Sequence, residues 1–160
     1  MSTTTPAALR TTIAARITSL APSIDSGAEF LEHLYDQPLA EWALANSAGC
    51  LRRFSVTEGD GIDGPDVTDG LVEAVWQDFI IEVAYPADIG SRYGGQQRVS
   101  LTGTISADRA QIAKTVGTNG TAYTDATVQT APGGETRVDL GDVQLGIVRL
   151  RARYFRSATP

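Results

Sequence analysis

Hydrophobic and polar residues alternate most regularly between Val72 and Pro86. In VEAVWQDFIIEVAYP, Phe79, Ile81, Val83 and Tyr85 take every second position, with Asp78, Ile80, Glu82 and Ala84 between them. A period of two sends the first set to one face of a strand and the more polar set to the other. No other segment is as rich in β-branched and aromatic residues over such a length, so this is the expected long strand of a half-buried sheet. Val143 to Phe155 is the expected final strand, in two phases. Val143, Leu145 and Ile147 alternate first, then Val148, Leu150, Ala152 and Tyr154 take over. That slip near Gly146 to Val148 predicts a bulge or bend. A first strand is expected over Cys50 to Thr57, with Cys50, Arg52, Phe54 and Val56 on one face and Leu51, Arg53 and Ser55 on the other.

Helical spacing occurs twice. Thr5 and Pro6 suit a cap and a first helical position, and Leu9, Ile13, Ile17 and Leu20 follow as one apolar stripe ended by Pro22. The stripe is expected to pack on the chain's own sheet rather than on a partner. Ile105, Ile112 and Val116 mark a second helix starting at Thr104 or Ser106, with Asp108 in its first turn and Gly117 as its stop. Whether residues 99–103 join that helix stays open. Residues 23–49 read as an irregular or short helical insertion. One turn is expected at Phe30, Leu31, Leu34 and Tyr35, and another, after Pro38, at Leu39, Trp42 and Ala43. Ala126 to Thr130 reads as a short strand, and the turn from Pro132 to Glu135 can close a hairpin. The expected fold class is α+β: a small, mostly antiparallel sheet with two main helices on one face and long loops, in a single domain over residues 1–160.

Composition narrows the function. The chain is 42% hydrophobic and 20% charged, ordinary for a soluble globular protein, and 160 residues suffice for one real core. Its single cysteine, Cys50, excludes an internal disulfide and any cysteine zinc cluster, and reads as a small apolar filler. A net charge of -6 argues against bulk attraction to phosphate backbones. No apolar run approaches the roughly 20 residues of a membrane span. The first residues lack the continuous apolar segment of a signal peptide, so a cytoplasmic site of synthesis is expected.

Catalytic motifs are missing. The one histidine, His33, has no motif around it, and no HExxH, CxxC, GxSxG, GxGxxG or GxxxxGK[ST] pattern occurs. An enzyme is therefore not expected, and no cofactor is implied. The stretch from Glu58 to Gly70 carries Glu58, Asp60, Asp63, Asp66 and Asp69 among glycines. It invites a calcium reading but departs from the EF-hand pattern, because Ile62 and Asp63 occupy positions 5 and 6 counted from Glu58. It reads as a solvated acidic loop joining two strands, free to touch a neighbouring subunit. Arg149, Arg151 and Arg153 share one face of the last strand and are the sharpest charge feature present. They are a solvated face, partners for acidic loops of a neighbour, or a phosphate contact.

DFIIEVAYP after the acidic stretch, ISADRAQIAKTVG as the later helix and DVQLGIVRLRARYF at the end occur in an order that resembles the tail terminator proteins of long-tailed bacteriophages. The resemblance is one of element order, length and strand character, over roughly Leu9 to Phe155. It implies a structural virion protein of the tail or neck, assembled in the host cytoplasm. Such a protein forms a hexameric ring on the head-proximal end of the tail tube. Its partners are further copies of itself, the tail tube protein and the head–tail connector or stopper, with DNA passing through unheld. The resemblance makes Arg149, Arg151, Arg153, Asp60, Asp63, Asp66 and Asp69 candidate subunit-interface residues. Another neck or tail component, such as a head-completion or tail tube protein, is the nearest alternative. An acidic ligand-binding α+β domain is the alternative from a different class.

Overall fold

A computed structural model describes residues 3–24, 28–62, 68–69, 72–88, 100–117, 123 and 126–157. Among them are three α-helices and a six-stranded, mostly antiparallel sheet, an α+β fold. The helices are α1 (Pro6–Thr18), α2 (Leu39–Ala45) and α3 (Leu101–Val116). The strands are β1 (Leu31–Glu32), β2 (Arg53–Ile62), β3 (Thr68–Asp69), β4 (Val72–Pro86), β5 (Ala126–Asp139) and β6 (Val143–Ser157). The sheet runs β1-β2-β4-β6-β5, with β3 paired to the start of β4, and β1 with β2 is its one parallel pair among the described residues.

β4 is the central strand, as its alternation predicts. Phe79, Ile81, Val83 and Tyr85 are buried in the main core, and Asp78, Ile80, Glu82 and Ala84 face the other way. On that core face lie α1 and α3. Thr5 caps α1 by accepting from the Ala8 N–H at 3.2 Å, and Leu9, Ile13 and Ile17 are buried against the sheet, with Leu20 packed beside them. The apolar stripe thus serves its own core. Arg16 of α1 ties the two helices together. Its Nη2 donates to the Thr115 carbonyl at 2.6 Å, and its guanidinium lies 5.4 Å from the Tyr123 ring centre. Burial pushes the Tyr123 hydroxyl up to about 12 against the opposing pull of Arg16, and that hydroxyl donates to the Val116 carbonyl.

Several elements depart from the sequence pattern. α3 begins at Leu101, capped by Ser100, so Asp108 lies mid-helix and fully buried rather than in an exposed first turn. The proposed turn at Phe30–Tyr35 is instead strand β1, because the Leu31 and His33 N–H groups donate to the Arg52 and Phe54 carbonyls. β5 is one long strand, not half of a hairpin turning at 132–135. Both its ends pair with β6, and residues 131–134 are an insertion between Thr130 and Glu135. The real reversal is at Leu140–Asp142, where the Asp139 side chain accepts from Gly141, whose φ of 88° favours glycine. The acidic stretch is strand over Glu58–Ile62 and Thr68–Asp69, with Asp60 in a bulge between Glu58 and Gly61 and Asp69 paired with Val72. Asp63 and Asp66 lie outside the described residues.

β6 has no bulge against β4: the register runs unbroken from Val72↔Ser157 to Pro86↔Val143. Its two phases come from covering, not slippage. Val143, Leu145 and Ile147 belong to a second small core on the outer face, under Leu39 and Ala43 of α2. Beyond α2 the same parity continues as Arg149, Arg151 and Arg153. Gly146 lies under α3, where an added Cβ would stand 3.1 Å from Ile105 and 3.4 Å from the Tyr85 ring.

Among the described residues the core contains one ion pair. Arg52 is fully buried with a φ of 56°, and its Nε and Nη2 donate to Asp108 of α3 at 2.7 and 3.3 Å. Tyr85 donates to the same carboxylate at 2.7 Å, and burial, then the Asp108 charge, raises the Tyr85 pKa well above its ordinary value. The left-handed turn at Arg52 also explains why Cys50 enters the outer core while Phe54 enters the main one; simple alternation had put both on one face. Removing one member of a buried pair strands the other, so Asp108→Ala should cost about 3–5 kcal/mol in urea unfolding. Tyr85→Phe should cost about 1 kcal/mol. The double variant Arg52→Met, Asp108→Leu should recover most of the loss.

Candidate functional site

The outer face of the sheet carries the chemistry. α2 covers only one end of it. On the rest, β4 and β6 place Trp76 beside Arg153, Asp78 beside Arg151 and Ile80 beside Arg149. The three arginines share a face as expected, but they do different things. Arg149 is exposed. Arg151 donates to Asp78 at 3.2 Å, and Arg153 lies 5.5 Å from the Phe155 ring centre. The carboxylate that Arg151 meets is therefore on the chain's own β4. Of the acidic stretch, Asp60 lies in β2 and Asp69 in β3.

A cleft of about 500 Å³ opens where the cover of α2 ends. Its floor is β2, from Ser55 to Glu58, together with Glu82 of β4, and its far wall is the loop from His33 to Leu39. β1 stops pairing with β2 at Phe54, so the cleft begins where the sheet edge becomes free. Arg10 of α1 closes the inner side: its Nε donates to the Val56 carbonyl at 2.7 Å and its Nη2 to Glu32 at 3.2 Å. The loop wall is aromatic. His33 stands 5.4 Å from the Tyr35 ring and 5.3 Å from the Trp42 ring, and Tyr35 stacks on Trp42 at 5.9 Å. Arg53 backs Trp42 from 5.2 Å. Leu34 and Tyr35 remain 79% and 61% exposed, which makes the rim of the cleft apolar.

His33 is less ordinary than its lone position in the sequence implies. It is only 6% exposed, and its Nε2 donates to the Gln37 carbonyl at 2.6 Å. A carbonyl only accepts, so Nε2 holds the proton and Nδ1 is left as a buried acceptor without a partner. Glu82 is the second group the sequence did not single out. Its period-two placement was legible, but the loop that half-buries it was not. Burial alone raises its pKa above the usual carboxylate range.

Among the described residues no three His, Cys, Asp or Glu side chains gather to hold a metal ion. No described helix is long and apolar enough to cross a membrane. Neither a family model nor a curated protein sequence matches the chain.

A carboxyl with a raised folded pKa binds its proton more readily folded than unfolded. Its contribution is fully present at low pH and is lost as pH rises through the folded value. Glu82→Gln removes that loss. Its melting temperature at pH 7 should exceed that of the parent, and the gap should close as pH falls to about 4, the ordinary glutamate range. Calorimetry across pH checks both the sign and the window.

Proposed function

We propose that the protein is a ring-forming structural component of a phage neck, terminating tail growth and joining tail to head connector. The observation that carries the reading is the part of the outer sheet face that no described helix covers. There Trp76, Ile80 and Phe155, all partly buried, alternate with Arg149, Arg151 and Arg153. An apolar strip laced with cations is suited to a protein contact, since aromatic residues and arginine are enriched at interfaces. The order long strand, helix, long final strand, on which the resemblance to tail terminators rests, is kept by β4, α3 and β6, with one long strand β5 where the sequence predicts a hairpin.

A head-to-tail contact closes into a ring when its rotation divides the circle, and an acidic ring lets DNA pass without gripping it. The contact proposed here joins the arginine face of one copy to acidic surface on the next.

Light scattering across concentration and salt should find a species six times the 16.9 kDa chain mass. The triple variant Arg149→Glu, Arg151→Glu, Arg153→Glu should shift it to monomer. Folding should change little, because these arginines lie on a partly exposed sheet face and the Arg151–Asp78 pair, about one-third exposed, is worth at most about 1 kcal/mol. Rings that persist in the triple variant would remove the arginine face from the interface. A strict monomer in the parent, with or without tail tube protein, would overturn the ring itself.

A further inference from the structure

We infer that the cleft between β2 and the 33–39 loop recognises an organic cation, a guanidinium or alkylammonium group. The inference stands apart from the ring reading. Its starting point is a charge imbalance in the cleft: the charged groups left without an ion pair among the described lining residues are carboxylates. The buried Nδ1 of His33 has no donor. Among the described residues Asp36 and Glu82 have no ion pair, and Glu58 adds a third carboxylate to the lining. The one arginine in the lining, Arg10, is already committed to Glu32 and to the Val56 carbonyl. An anion therefore finds no uncommitted cationic side chain among the described lining residues, whereas a cation rich in N–H groups finds carboxylates.

The rest of the cleft fits that chemistry. Glu82 is desolvated without a counter-charge, so an incoming cation recovers part of what its burial costs. Guanidinium carries five donors in a planar fork, enough to serve a carboxylate and a second acceptor together. Tyr35, held flat against Trp42, offers an exposed ring face over which a cation is attracted. A volume of about 500 Å³ accommodates a small molecule or one long side chain. A bare metal ion fits less well, because among the described residues no three ligating side chains converge.

The same headgroup can arrive on a free small molecule or on an arginine or lysine of a partner chain, and one experiment separates them. His33 is the only histidine, so its ring gives a single, unambiguous set of NMR signals. The parent is titrated with agmatine and, separately, with a blocked Gly-Arg-Gly peptide. Saturable shifts of the His33 ring signals are expected. Glu82→Gln should weaken binding at least about tenfold, and Tyr35→Ala should weaken it about threefold or more. Glu41→Gln, the same charge change on the exposed side of α2, should alter it less than about twofold. Each variant is first checked by its thermal unfolding. Agmatine binding as tightly as the peptide identifies a free small cation; a peptide at least about tenfold tighter identifies a partner's side chain. No saturable shift with either probe overturns the inference. So does equal weakening by Glu82→Gln and Glu41→Gln, which would mean diffuse attraction to an acidic protein.

Discussion

Arg52, Asp108 and Tyr85 meet in the middle of the main core, and three separate parts of the chain depend on that meeting. Asp108 brings α3, Tyr85 brings the end of β4, and Arg52 brings the turn that starts β2. The guanidinium also holds the Ile24 carbonyl at 2.8 Å and lies 5.8 Å from the Phe30 ring, so the connection after α1 is fixed by the same charge. A buried pair of this kind adds little net stability over an apolar core. Its effect is on alternatives: any packing that withdraws one partner leaves a charge stranded in the interior. The left-handed backbone at Arg52 costs of order 1 kcal/mol or more, and it is kept because it turns the side chain inward.

Everything outside that core follows from how far each sheet face is covered. α1 and α3 cover the inner face along its length. α2, only seven residues, covers one end of the outer face. Where it covers, β6 shows Val143, Leu145 and Ile147; where it does not, β6 shows arginines. The candidate cleft lies on the boundary between the two regimes, where a carboxylate of the open face is half-buried by the edge of the cover. That position leaves Glu82 short of both solvent and a partner. The arginine face and the acidic cleft are thus neighbours on one surface, of opposite sign, and suited to different contacts.

The long strands β4 and β6, the amphipathic α1, the second helix and the α+β class are all legible in residue spacing, because each is fixed by local period and by one apolar face. The arginine face is legible for the same reason. Partners across the sheet are not: that Asp78 answers Arg151 depends on the register of two strands 73 positions apart. Nor is the role of Asp108, since a carboxylate within a helix pattern looks the same whether it faces water or a buried arginine. The insertion in β5 was misread because Pro-Gly-Gly signals a break in the backbone without saying whether the chain reverses or rejoins its ladder.

By itself, then, the sequence determined the elements and which side of each is apolar, since period and composition act over a few residues at a time. Only the tertiary structure decided which polar groups are left without partners. Covering is a property of the assembled sheet: β1 and the loop after it, anchored to the Arg52 and Phe54 carbonyls, bring His33 and Tyr35 over a strand face that already carried Glu82. No local pattern records that Nδ1 of one residue and a carboxylate some fifty positions later will share a cleft, because the free energy that places them is that of the whole core.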